Sequence, residues 1–136
     1  MREALARRGV TLGLTLQGDP SLNLAGGQRQ GAAVRWPLQA ALDVDTELLL
    51  GWRGGHVHAG LQALRGAHGT DLLVGDAQGF NNVDAEAFHQ VSEFWLEQRL
   101  LGDRVRLKAG KADANADFAH VESAAGFLNS SAGYSP

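Results

Sequence analysis

From Ala32 to Leu42 the chain alternates strictly between two kinds of side chain. Even positions read Ala32, Val34, Trp36, Leu38, Ala40 and Leu42, all apolar, while odd positions read Ala33, Arg35, Pro37, Gln39, Ala41 and Asp43. A pleated strand sends these two sets to opposite faces. Eleven residues of alternation is long for a soluble strand, which usually runs about 5–6 residues. It suits a strand tilted through a bilayer, which needs roughly 9–11. Pro37 lacks the N–H for a central ladder bond; it falls on the polar-face set, where a bulge would accommodate it.

The same period recurs along the chain. Val10, Leu12, Leu14 and Leu16 alternate with Thr11, Gly13, Thr15 and Gln17, and Val57, Ala59, Leu61 and Ala63 with His56, His58, Gly60 and Gln62. Phe94, Leu96 and Leu100 oppose Glu93, Trp95, Glu97 and Arg99, and Val105, Leu107 and Ala109 oppose Arg106, Lys108 and Gly110. Five strands follow, with a sixth expected to begin near Phe127. Gly102-Asp103-Arg104 reads as a tight hairpin turn. Thr46-Glu47-Leu48-Leu49-Leu50 reads as a short helix capped by Asp45 and stopped by Gly51. Gly66 to Asp84 reads as a long loop, and Ala114 to Ala125 as a second one holding a helical turn. Short and long connections in alternation are the habit of outer-membrane barrels.

Composition narrows the classes further. At 136 residues one domain is expected, with no separate second one. No apolar run approaches the roughly 18 residues of a membrane helix. The net charge of -3 argues against nucleic acid as a partner, because phosphate binding wants clustered Lys and Arg. With no cysteine, thiolate catalysis and cysteine-based zinc sites drop out. No Ser-His-Asp triad, phosphate loop or paired-carboxylate motif is present to suggest an enzyme, and no cofactor is implied. Met1 opens on Arg2-Glu3-Ala4-Leu5-Ala6-Arg7-Arg8 without an apolar stretch behind it, and Tyr134-Ser135-Pro136 follows closely on a new apolar segment. Either the true start lies upstream or the chain is a fragment of something longer, and the far end favours the fragment.

Alternation by itself also fits a soluble antiparallel sandwich with one buried face. Charged residues on the polar set face a lumen in one case and water in the other, so they leave both readings open.

Several blocks carry a resemblance that favours the first. They are Gly75-Asp76-Ala77-Gln78-Gly79-Phe80-Asn81-Asn82, Glu93-Phe94-Trp95-Leu96-Glu97-Gln98, Leu107-Lys108-Ala109-Gly110-Lys111-Ala112-Asp113-Ala114-Asn115, Phe118-Ala119 and Phe127-Leu128-Asn129-Ser130-Ser131. With Arg2, Leu5, Gly9, Val10, Gly26-Gly27 and Leu42-Asp43-Val44-Asp45, the chain resembles the carbohydrate-selective porin (OprB) family along its whole length. The resemblance implies an all-β fold: part of a sixteen-stranded antiparallel transmembrane β-barrel, to which this chain would supply about six strands. Alone, those strands would form a curved open sheet with unpaired edges, which hydrocarbon does not tolerate. The implied setting is the outer membrane of a Gram-negative-type bacterium, with membrane lipid outside and small carbohydrates diffusing inside. Whether full-length barrels form homo-oligomers stays open. The alternative is a soluble all-β carbohydrate-binding module.

A sugar pore combines charged or amide groups with an aromatic platform. Glu93, Trp95, Glu97 and Arg99 put that mixture on one strand face, with Arg106 and Lys108 on the next strand, near enough to pair. Arg35, Gln39 and the loop residues Asp113 and Asn115 are further pore-lining or sugar-binding candidates. Against each stands the plainer reading of a wall or loop residue whose charge is met by its neighbours. Trp36, on the apolar set, reads as an interfacial anchor. His56-x-His58 has a zinc-compatible spacing with Glu93 as a third ligand, but two lumen-facing histidines explain it more simply. Asp76, Asn81, Asn82 and Asp84 offer oxygen ligands without the order of a calcium-binding EF-hand loop.

Overall fold

The structure, a computed structural model, describes residues 2–76, 81 and 83–113. Helix α1 (Arg2–Ala6) leads into strands β1 (Val10–Leu16), β2 (Asp19–Asn23) and β3 (Gly31–Asp45). Helix α2 (Thr46–Leu50) follows, then β4 (Gly55–Gly66), a π-helical turn at Thr70–Val74, β5 (Phe88–Leu100) and β6 (Val105–Lys111). The strands form one open antiparallel sheet in the order β1-β3-β4-β5-β6, with β2 also paired to β3. Among the described residues no helix is long and apolar enough to cross a membrane. The expected strand near Phe127 and the helical turn within Ala114–Ala125 lie outside the described residues.

The five alternating segments are all strands, and four of them run longer than the alternation indicated. The unforeseen strand is β2. Its sequence, Asp-Pro-Ser-Leu-Asn, has no alternation to read, and it becomes a strand because β3 offers a free edge: Asp19 lies opposite Arg35 and Asn23 opposite Gly31. Pro37 is accommodated without a bulge. The Gln17 amide donates to the Pro37 carbonyl at 3.0 Å, in line with the β2–β3 register, so no residue is inserted. Pairing is interrupted at Gln17-Gly18, opposite the proline nitrogen that cannot donate. The Trp36 ring covers Gly18, where a Cβ would come within 2.9 Å of it.

The chain divides into two compact units. One comprises the described residues of Met1–Thr15, Gln39–Gln62 and Gln90–Asp113, the other those of Leu16–Leu38 and Ala63–His89. In the first, Leu12, Leu14, Phe94 and Leu107 are exposed, while Glu97 on the polar set of β5 is 4 % exposed. In the second, Val34, Trp36 and Leu38 are exposed, while Ala33 and Arg35 on the opposite face of β3 are sealed. A water-soluble domain hides its apolar face. Both units do the reverse.

Helix α2 is held as the sequence indicates. The Asp45 carboxylate accepts from the Glu47 and Leu48 amides at 2.9 and 3.1 Å, and Gly51 takes the left-handed conformation at φ 75°. The Thr46 hydroxyl then donates to the Trp52 carbonyl at 2.7 Å, closing the reversal into β4. Asp45→Ala removes the acceptor for two helix-end N–H groups, and a loss of about 1 kcal/mol is expected, read as a shift in the urea midpoint. Between β5 and β6, Leu100 faces Val105, and Leu101 joins the anticipated turn residues with a positive φ of 54°.

Candidate functional site on the polar face

The polar face of the first unit is built by strand parity. On β4, His56 and His58 stand two residues apart and share a face. On β5, Glu93, Trp95, Glu97 and Arg99 do the same, and the β5–β6 register sets Glu97 opposite Lys108 and Arg99 opposite Arg106. Because β5 lies between β4 and β6, one of its polar-face residues can meet both neighbours.

That residue is Trp95. Its indole N–H donates to Glu93 Oε2 at 2.8 Å. His58 stacks on the ring at 5.0 Å between centroids with an interplanar angle of 17°, and His56 at 5.5 Å and 28°. The Lys108 ammonium sits 4.4 Å from the ring centroid, a cation–π contact. The imidazoles are themselves oriented. Asp43 Oδ1 lies 2.8 Å from His58 Nδ1 and 3.2 Å from His56 Nε2. A carboxylate only accepts, so both of those ring nitrogens carry hydrogen. Glu97 forms a second knot, 3.0 Å from Arg99 Nε and 3.7 Å from Arg106 Nε.

The six candidates on β5 and β6 are therefore brought together, and sequence reasoning overlooked what holds them. Asp43 was placed on the polar set but given no role, and the histidines were weighed only as lumen residues or zinc ligands. Parity was the available signal, since all three lie on the polar set of their strands. Glu93, the proposed third zinc ligand, is instead engaged by Trp95. Among the described residues no three His, Asp or Glu converge to hold a metal. Near this group, Asp45, Glu47, His56, Arg99 and Asp103 surround a cavity of about 310 Å³ over the Gly54-Gly55 backbone.

The other candidates are Gln39, Asp113, Asn115 and Arg35. Gln39 is exposed on β3, Asp113 is exposed just beyond β6, and Asn115 lies outside the described residues. Arg35 belongs to the second unit, where it is 1 % exposed between Asp84 and Asp19, with Ser21 Oγ 2.6 Å away. Of the oxygen ligands offered for calcium in that loop, Asn82 lies outside the described residues, and two others are engaged within the protein. Asp84 accepts from Arg35 and from the Gly69 and Thr70 amides, and Asn81 turns its amide nitrogen toward Asp19 at 2.8 Å.

Comparison with known proteins bears on the family and the fold. The family described as carbohydrate-selective porin, OprB family, matches residues 29–136. The curated proteins give no match. Among solved structures, the high-pH structure of Pseudomonas putida OprB superposes with a TM-score of 0.77 at 18 % identity, over 86 % of this chain and 30 % of that one. At that identity the likeness speaks for the fold, and the chain spans less than a third of the length of that porin. With most of its residues inside the family match, the chain belongs to the carbohydrate-selective porin, OprB family.

Proposed function

We propose that this chain forms part of the wall of a sugar-conducting channel in the outer membrane, further strands completing the barrel around it. The observation that carries this reading is the inverted burial: leucines, phenylalanine and tryptophan on the exposed face of the strands, arginine and glutamate on the hidden one. A bilayer rewards that arrangement and water penalises it.

On the polar face, Glu93, Trp95, Glu97, Arg99, Arg106 and Lys108 act as the solute-facing lining, with Arg35, Gln39, Asp113 and Asn115 in supporting positions on walls and loops. A sugar crossing a channel exchanges water hydrogen bonds for wall hydrogen bonds. Carboxylates accept from its hydroxyls, and guanidinium or ammonium groups donate to them. The indole, held by two imidazoles, Glu93 and Lys108, adds a fixed ring beside these charges. Charges already paired with each other bind hydroxyls weakly, which suits passage, since a site must release what it admits. Porins pass solutes by diffusion, so no residue is assigned a catalytic role.

Far-ultraviolet circular dichroism of the chain with and without dodecyl maltoside micelles tests the reading. β-structure that requires the amphiphile is expected. A cooperative, monomeric β-fold in plain buffer would overturn it, because such a fold would have to bury the apolar face that is exposed here.

A further inference from the structure

In the second unit the connection between β4 and β5 does not stand away from the sheet. Its described residues, 67–76, 81 and 83–87, are fastened at separate points. At the first, the carbonyl of Leu73 accepts from the Gln28 and Arg29 amides at 2.8 and 3.0 Å and from Asn23 Nδ2 at 3.3 Å. The Leu73 side chain is buried against Gly31, where an added Cβ would lie 3.1 Å from it. At the second, the Asp84 carboxylate accepts from the Gly69 amide at 2.9 Å, the Thr70 amide at 2.5 Å and Arg35 Nη1. Arg35 Nη2 meanwhile reaches Ser21 Oγ and lies 3.2 Å from Asp19, which holds Asn81 of the same connection. His68 Nε2 stands 3.9 Å from Asp84. One arginine thus joins β3, β2 and the connection, and both it and Asp84 are closed to solvent.

We propose that Arg35 and Asp84 form a clasp that holds the β4–β5 connection against the polar face of β3. Arg35 is then a positioning residue. A passing solute meets the connection rather than the guanidinium, and the clasp decides how far the connection stands into its path. The inference rests on the channel reading for what passes, but the clasp is a property of the folded chain and is measurable in whichever medium folds it.

The test is backbone hydrogen exchange and limited proteinase K cleavage on wild-type chain and on Asp84→Asn, which keeps the shape and removes the charge. Expected is an about tenfold or greater acceleration at the Gly69 and Thr70 amides, and similarly faster cleavage between Ala67 and Ala87. Amides of the β5–β6 ladder should be unchanged. Arg35→Lys, which keeps a charged donor, should restore protection in part, whereas Arg35→Met should not. Equal exchange in wild type and Asp84→Asn would overturn the clasp. So would loosening of the β5–β6 ladder in proportion, which would make Asp84 a general pillar of the fold. Identical behaviour of Arg35→Lys and Arg35→Met would show that charge plays no part, and would overturn it as well. Because these signals are local, a failed channel reading leaves them legible.

Discussion

Phe94→Arg is expected to destabilise the chain in lipid vesicles by about 2–4 kcal/mol, the cost of a basic residue on the lipid face of a barrel strand near mid-bilayer. Phe94 is the middle residue of β5 (Phe88–Leu100) and is 60 % exposed, so its ring touches little of the protein that an arginine would disturb. In a water-soluble sheet the same change at so exposed a position would fall within about 0.5 kcal/mol of neutral. The two settings therefore differ in size and not merely in detail. Urea midpoints in vesicles, followed by tryptophan fluorescence, separate them, with Phe94→Leu as a control that keeps the apolar character. An arginine tolerated there would mean that this face does not meet hydrocarbon.

The second large effect concerns Gly66 and Gly110. Their φ values are +119° and +132°, and a Cβ would fall 2.1 Å from the Val34 carbonyl oxygen in one case and 2.2 Å from that of Phe94 in the other. The obstacle is backbone of the neighbouring strand, which cannot swing aside as a side-chain tip can. Conformational strain of about 1–3 kcal/mol adds to overpacking of similar size. Gly66→Ala and Gly110→Ala should each cost about 3 kcal/mol or more, measured from the same urea midpoints. Gly13→Ala is the control: a Cβ there would make an ordinary 3.6 Å contact with Ala41, and a change under about 0.5 kcal/mol is expected. Gly110 lies opposite Trp95, so its substitution should also alter the near-ultraviolet dichroism of the indole. A Gly110→Ala chain with wild-type stability and spectrum would show that the strands part more easily than this packing implies.

How much of this was legible beforehand depends on how local the cause is. Strand positions and faces follow from period two, which is a property of the pleat within one stretch of chain. So Val10–Leu16, the core of β3, β4, β5 and β6, and the side on which Glu97 and Phe94 point, were readable. The α2 cap was readable for the same reason, since Asp45 and Gly51 act on residues within a turn of themselves. The resemblance to a porin family rested on blocks in order, and the family match agrees with it.

Other features needed neighbours that sequence distance hides. β2 exists because β3 presents an edge to it, and Pro37 interrupts pairing without shifting register because its partner strand simply breaks there. Trp95 was picked out as a platform, but its imidazole supports come from β4 and their anchor, Asp43, from β3. Arg35 looked like a lining residue by parity, and parity was right about its face. Only the tertiary structure brought Asp84, forty-nine residues later in the chain, onto that face and closed the arginine off. The alternation of side chains settles which face a residue occupies, because each residue inherits its direction from the one before. What covers that face depends on which distant segment folds back over it, and no local period carries that information.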